Sequence, residues 1–538
     1  MKGYCTVKEE WLYPDQTLEE LPERVALHSA KNGREGIRLL LESGNEKLNV
    51  SLNGKGFTAE LFEMVDVFVG YNEAETEEQN GMFVITAEEY EKPDYCTRKA
   101  PFRVYEALRP LQNDELAVKH GLGALYLTLT AQEETAAGIH ELELRVGEYR
   151  LMIQLHLYEV RIPEESLGIT NWFSLDNVAL RHDLVFGSEA YYTMLRRYAR
   201  AMRRTRQTHF FISYDHRRLP FDKEEGKFDF SYLKPIIGIF FEEGFSVMEF
   251  GNFATRGGDM FTDEMKCNMD PSVCVSSDEG YHMQQNFIRG LASFLKENGW
   301  EKKVIFHIFD EPDVHLKDRT ALEKRKQQYL RISNLLRRHL PGCRIIEAVK
   351  TTEFKAGVDI WVPLSANYEE QKADFDKLLA AGEEVWVYVC CVPTGCHLNR
   401  FLDIDLIKSR LLFWGCARYG LTGYLHWGFN YWPEDAQYDP FECSNTPNAA
   451  FRGIYPSGDA YIVYPGEDGP LPGMRLEAQR RGAEDYELLL LLKAVKPMEY
   501  ERLMKKTLRG FSDYNADAEA FRSEERRVGK ECRSRWSP

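Results

Sequence analysis

Two neighbouring acids followed by proline, Asp310-Glu311-Pro312, close the apolar run 304–309. Alternate residues of an extended run share one face, so Phe306, Ile308 and Asp310 are expected to point together into the fold's interior. By the same parity His307 faces away from Asp310, as a satisfied structural histidine. Pro312 lacks a backbone donor and holds Glu311 extended, so strand pairing should end there and both carboxyls should reach one opening. Carboxyls that close repel when both are ionised, and one pKa should rise toward neutral. A proton-holding acid beside a persistent carboxylate is the arrangement that glycosidic cleavage requires.

The ends of the other apolar runs carry side chains suited to a sugar. Trp172, Asn252, Trp361, Tyr388, Trp427 and Asn430 all stand at or just beyond such ends. Aromatic faces pack on pyranose C–H surfaces, and amides bond hydroxyls. No Lys or Arg clamp of the phosphate-binding kind stands there, although Arg256 and Arg400 lie in nearby loops. Asp176 and Glu249 leave a rival open, in which Glu311 is the acid and one of them the nucleophile or base. A second rival is a carbohydrate-binding protein that keeps the pocket without turnover.

These residues need a frame to hold them. Segments 47–54, 124–132 and 138–160 alternate apolar and polar residues, the last with a glycine turn at 146–148. Residues 1–162 therefore read as a β-sandwich, an accessory domain without chemistry of its own. From 163 to 500 the grammar changes. Short apolar runs at 166–173, 208–213, 245–251, 304–312, 343–349, 358–363, 384–390 and 421–427 alternate with helical stretches. That alternation predicts a multidomain α/β protein whose second part is a closed (β/α)8 TIM barrel. The stretch 402–420 shows a rough apolar stripe ended by Gly420. Residues 501–521 read as a helical remnant. The string 522–538 has no apolar periodicity and resembles translated sequencing-library adapter.

Composition sets the outer limits. The 538 residues are 43% apolar with a net charge of -17, too apolar for disorder and too acidic to hold nucleic acid or an anionic membrane. No apolar run reaches the ~20 residues of a membrane span, and no apolar core follows Lys2 as in a secretory leader. A cytoplasmic location is expected. The eleven Cys show no CxxC pair, and the Cys390, Cys391, Cys396, His397 cluster lacks structural-zinc spacing, so neither metal nor cofactor is expected. No Walker or complete dinucleotide glycine motif occurs.

The run 304–312 with its HIFDEP end resembles the catalytic strand of glycoside hydrolase family 123, the β-N-acetylgalactosaminidases. Similar segments are Asn399–Asp403, Gly423–Trp432 and Gly458–Leu489, so the likeness covers most of the chain after Ser166. It implies a β-sandwich followed by a (β/α)8 barrel and a 2-acetamido glycan as substrate. It also implies retention assisted by the substrate, the sugar's acetamide oxygen attacking C1. Glu311 would then be the general acid and later the base, and Asp310 would orient the acetamide. Tyr388 and Trp427 carry over as pocket residues, with Trp172, Asn252 and Asn430 beside them. The chain departs from the family at Phe309, where Ser is expected, at Ser174, where His is expected, and at 252–258, where an aromatic-rich turn is expected.

Overall fold

The computed structural model describes residues 1–75, 83–222, 224–435, 437–448, 453–522 and 524. The protein is a mixed α/β, multidomain fold whose N-terminal part is β-rich. There an eleven-stranded sheet is built largely from antiparallel pairs, with Arg34–Glu42 running against Leu122–Ala131 along its full length. Gly138–Val146 and Tyr149–Leu157 form the expected hairpin, turning at Gly147 with φ 57°. Burial alternates at period two along Tyr149–Leu157, as its sequence pattern requires. One set of side chains, including Leu39, Leu127, Leu144 and Leu151, forms a core of its own. Alternate residues such as Leu40, Met64, Val67 and Ala107 join the main core of the molecule instead.

The second part is built on parallel strands. His209–Ser213, Val247–Gly251, Val304–His307, Arg344–Val349, Ile360–Pro363 and Glu384–Val385 pair in chain order as a six-stranded sheet. Gly168–Asn171, Gly423–His426 and Val387–Tyr388 form a three-stranded parallel sheet. Continuous pairing thus falls into two sheets, not one uninterrupted ring. They adjoin at both edges: Thr208 N–H donates to the Ile169 carbonyl at 3.2 Å, and Leu364 bridges Tyr388.

Strand parity sets two environments. Phe211, Ile305, Ile346, Val362 and Leu425 share the inner cluster with Tyr388. Phe210, Phe306, Ile308, Ile345 and Trp361 belong to the outer core under the helices. The inward face of the 304–309 run is therefore Ile305 and His307, the reverse of the expected parity.

Helices Glu189–Arg204, Asp278–Glu297 and Arg319–His339 start on Ser188, Ser277 and Asp318, whose side chains accept a backbone N–H of the first turn. Ile407–Tyr419 does end at Gly420, in the left-handed region at φ 71°. It is buried along Ile407–Ala417 on all sides, not by a stripe, because Met474–Val495 covers it. Pro497–Thr507 is one helix across the boundary expected at residue 500. The segment beyond it is packed in: Tyr500 Oη donates to the Ala417 carbonyl at 2.8 Å, and Phe521 lies 5.0 Å from Trp414. Of the terminal string 522–538, only Arg522 and Glu524 are among the described residues. Arg522 donates to the carbonyls of Val7 and Ala26, at 2.7 and 2.5 Å. No helix among the described residues is long and apolar enough to cross a membrane.

Candidate active site

Strand pairing stops at His307, and the chain turns sharply through Asp310 and Glu311. Both adopt left-handed backbone, with φ 76° and 53°. Glu311 is thus not held extended by Pro312. Non-glycine residues in this region cost about 1–3 kcal/mol each, so something must hold the turn. Glu347 does so from the neighbouring strand. Its Oε2 accepts the N–H groups of Ile308 and Phe309 at 3.2 Å each, and its Oε1 accepts that of Asp310 at 2.7 Å. Glu311 N–H donates to the Ala348 carbonyl at 3.1 Å, and Arg256 donates to the Glu311 carbonyl at 2.8 Å.

His307 lies beneath this turn, on the same side as Asp310. Its Nδ1 meets Glu249 at 2.9 Å, its Nε2 stands 3.0 Å from Glu347, and Asp310 Oδ1 is 3.9 Å from Nε2. Burial alone would lower its pKa. Glu347 and Glu249 outweigh that and hold it well above the ordinary value. The expectation that it faces away from Asp310 is corrected for a simple reason: the strand ends at His307, and the turn brings Asp310 back over it.

The two acids open on a cavity of about 330 Å³. Tyr388 Oη donates to Glu311 Oε1 at 2.5 Å. Burial first, and Glu311 second, raise the Tyr388 pKa well above its usual value, which keeps the phenol a donor. Asp310 is pushed up to about 7 by burial and then by the Glu311 charge, against the pull of His307 and Arg256. The rise expected of one member of the pair is therefore present. Trp172 and Trp427 line the same cavity, with Tyr431 and Tyr455 beside them. Trp172 stacks on Phe211 at 4.4 Å, and Trp427 lies 5.4 Å from Tyr431 and 5.3 Å from Tyr455.

Three expected sugar contacts lie elsewhere. Trp361 points into the outer core, as its parity with Phe306 requires. Asn430 is fully buried and staples the loop after the first parallel strand, accepting Ser174 N–H at 2.7 Å and donating to its carbonyl at 3.0 Å. Asn252 does not line the cavity. Both rival carboxylates are committed as well. Glu249 is fully buried against Trp172, Thr170 and His307, and Asp176 pairs with Arg218 at 2.7 Å away from the cavity.

Family departures acquire local roles. Ser174 caps the helix Leu175–Arg181. Phe309 is buried between the guanidiniums of Arg256 and Arg325, at 4.8 and 5.3 Å from the ring centre. Arg256 itself comes from the altered loop. Glu347 and Phe83 were not anticipated as site residues. A lone carboxylate inside the apolar run 343–349 was the available signal for Glu347. Phe83 belongs to the β-rich part, and nothing local marks it. Cys390 and Cys391 form cavity wall, and no group of three or more His, Cys, Asp or Glu among the described residues could hold a metal ion.

Residues 172–492 match the family profile of the glycoside hydrolase 123 catalytic domain. The chain is similar in fold to a family 123 glycoside hydrolase from Clostridium perfringens, studied for glycolipid glycan hydrolysis. That likeness has TM-score 0.70 at 13% identity and covers 98% of this chain and 97% of the other. A β-galactosidase from Marinomonas ef1 is 10% identical over 63% of this chain and 62% of its own, with TM-score 0.39. A β-D-glucuronidase from Dictyoglomus thermophilum is 10% identical over 90% and 97%, with TM-score 0.35. At those two scores the likeness bears on neither fold nor function. No curated protein matches the chain.

Proposed function

The chain belongs to glycoside hydrolase family 123, and from that premise we propose that it releases a terminal β-linked N-acetylgalactosamine, or a related 2-acetamido sugar, with retention. The observation that carries this reading is the turn that sets Asp310 and Glu311 side by side on one aromatic cavity, with Tyr388 on Glu311. The acetamide oxygen attacks C1 while Glu311 gives its proton to the leaving oxygen. The glycosidic C1–O bond breaks, and an oxazolinium-type ring forms. Glu311, now a carboxylate, takes a proton from the water that reopens the ring at C1. Neighbouring acids suffice because no enzyme nucleophile is needed on the opposite face of the sugar.

Asp310 accepts the acetamide N–H and balances the positive charge that develops there. In the free site Asp310 is pushed up to about 7, first by burial and then by the neighbouring Glu311 charge. An N–H donated to its carboxylate favours the ionised form that partners the acetamide. For the scaffold we read the β-rich part as a sandwich, since both arms of its sheet share one core. We read the two parallel sheets as a (β/α)8 barrel, since they adjoin at both edges.

A panel of nitrophenyl glycosides tests the proposal. The galacto-configured N-acetylhexosaminide should be cleaved with retained configuration, and its 2-hydroxy analogue should not. An inverted product would exclude the acetamide route. Sugar binding without turnover of any acetamido glycoside would instead favour a carbohydrate-binding protein.

A further inference from the structure

The cavity has a wall from outside the α/β part. Phe83, of the β-rich region, is 2% exposed and stacks on Tyr455 with ring centres 6.1 Å apart. Its backbone is fixed from below. Ala74 N–H donates to the Phe83 carbonyl at 3.0 Å, and Ile85 N–H to that of Asn72 at 2.9 Å, around the bridge Glu73–Val84. Asn72 Nδ2 and Glu73 N–H both donate to the buried Asp403 Oδ2, at 3.1 and 2.7 Å. Asp403 closes one of the family-like segments, 399–403, so that segment holds the β-rich region's aromatic residue against the site.

The acids divide the cavity between them. Asp310 stands 3.9 Å from His307, whose ring meets Trp172 at 5.0 Å, and Tyr431 Oη donates to the adjoining Phe173 carbonyl at 3.3 Å. Glu311 instead takes the Tyr388 hydroxyl at 2.5 Å, and Tyr455 packs on the Trp427 ring at 5.3 Å, with Tyr431 5.4 Å from the same ring. A leaving oxygen must sit beside its proton donor, so the departing group has to lie over the Tyr455 side.

We propose that Tyr455, backed by Phe83, forms the leaving-group subsite and receives the apolar C–H face of a second sugar. The β-rich region is then part of the substrate site and selects what the acetamido sugar is linked to. This rests on the assignment of Glu311 as the acid.

Two substrates that release the same sugar provide the test: a β-linked N-acetylgalactosaminyl disaccharide and β-N-acetylgalactosaminyl fluoride, whose leaving group is too small to reach Tyr455. Phe83→Ala should lower kcat/KM for the disaccharide roughly tenfold, the scale of one aromatic contact, and leave the fluoride unchanged. Phe83→Tyr, which keeps the ring, should restore most of the loss. Equal losses on both substrates would make Phe83 a packing residue and overturn the subsite, as would no loss on either. A wild-type protein inert toward both would instead overturn the proposed glycosidase, and the subsite with it.

Discussion

Two buried charge clusters in this molecule use similar residues to opposite ends. Where helix Met474–Val495 meets the β-rich part, Glu477 is surrounded by arginines, with Arg204 at 2.8 Å and Arg480 at 3.1 Å. Burial alone would raise its pKa, but Arg204, Arg480 and Arg34 carry it well below the usual carboxylate range. Around the 310–311 turn the balance is reversed. Glu249, Glu347 and Asp310 surround His307 at 2.9, 3.0 and 3.9 Å, Glu311 stands beside Asp310, and Asp310 is pushed up to about 7. Acids matched by cations fix how the two parts dock. Acids in excess of cations push one of their number toward neutral pKa, as functional sites often do.

The comparison breaks first at the interface. Glu477→Ala leaves Arg204 and Arg480 buried without their carboxylate and should cost about 3–5 kcal/mol in chemical denaturation. The pH profile of activity should keep its shape. A loss below 1 kcal/mol would show that the matched cluster does not secure docking. Next, Glu311→Gln should lower kcat at least roughly a hundredfold, about 2.7 kcal/mol of barrier, while the melting temperature changes little. An active variant would remove Glu311 from the chemistry.

Glu347→Gln keeps one acceptor oxygen for the turn but removes the charge beside His307. We expect kcat to fall roughly tenfold with KM little altered, because the turn that aims both acids loosens. A change in KM alone would make Glu347 a binding residue. Asp310→Asn should impair kcat more than KM, and an undiminished kcat would show that Asp310 does not partner the acetamide.

The smallest effect is on stability against pH, and here the two clusters differ in sign. Asp310 binds its proton more tightly folded, at about 7, than at its ordinary 3.8, so its contribution falls as pH rises between those values. Asp310→Asn should therefore melt above wild type at pH 8 and show no such advantage at pH 4. Glu477 is depressed from 4.5, so its contribution is present above that value and is lost as pH falls through the lower folded pKa. Melting curves across pH would reveal both trends, and parallel trends would contradict the contrast.

Much of the scaffold was legible because it is local. The hairpin at Gly147, the stop at Gly420 and the alternation of apolar runs with helices are written in neighbouring residues. The acid pair, Tyr388, Trp427 and Trp172 were legible too, since each stands at the end of such a run. Parity was not. Phe306 and Ile308 suit either face of a strand buried on both sides, and only the helices packed outside decide between them. Trp361 misled for the same reason, an aromatic ring being equally at home in a core. Asn430 could bond either a sugar hydroxyl or a loop backbone, and the backbone of Ser174 took it.

Sequence alone determined which groups could exchange a proton and that they would stand at the end of a strand, since residue type and short-range periodicity act within a few positions. The tertiary structure decided that Asp310 and Glu311 share one opening, because a carboxylate from the next strand holds the turn. It also decided that Phe83 reaches them. Chain separation says nothing about such meetings; they follow from how two parts pack, and packing is settled by all the surfaces together.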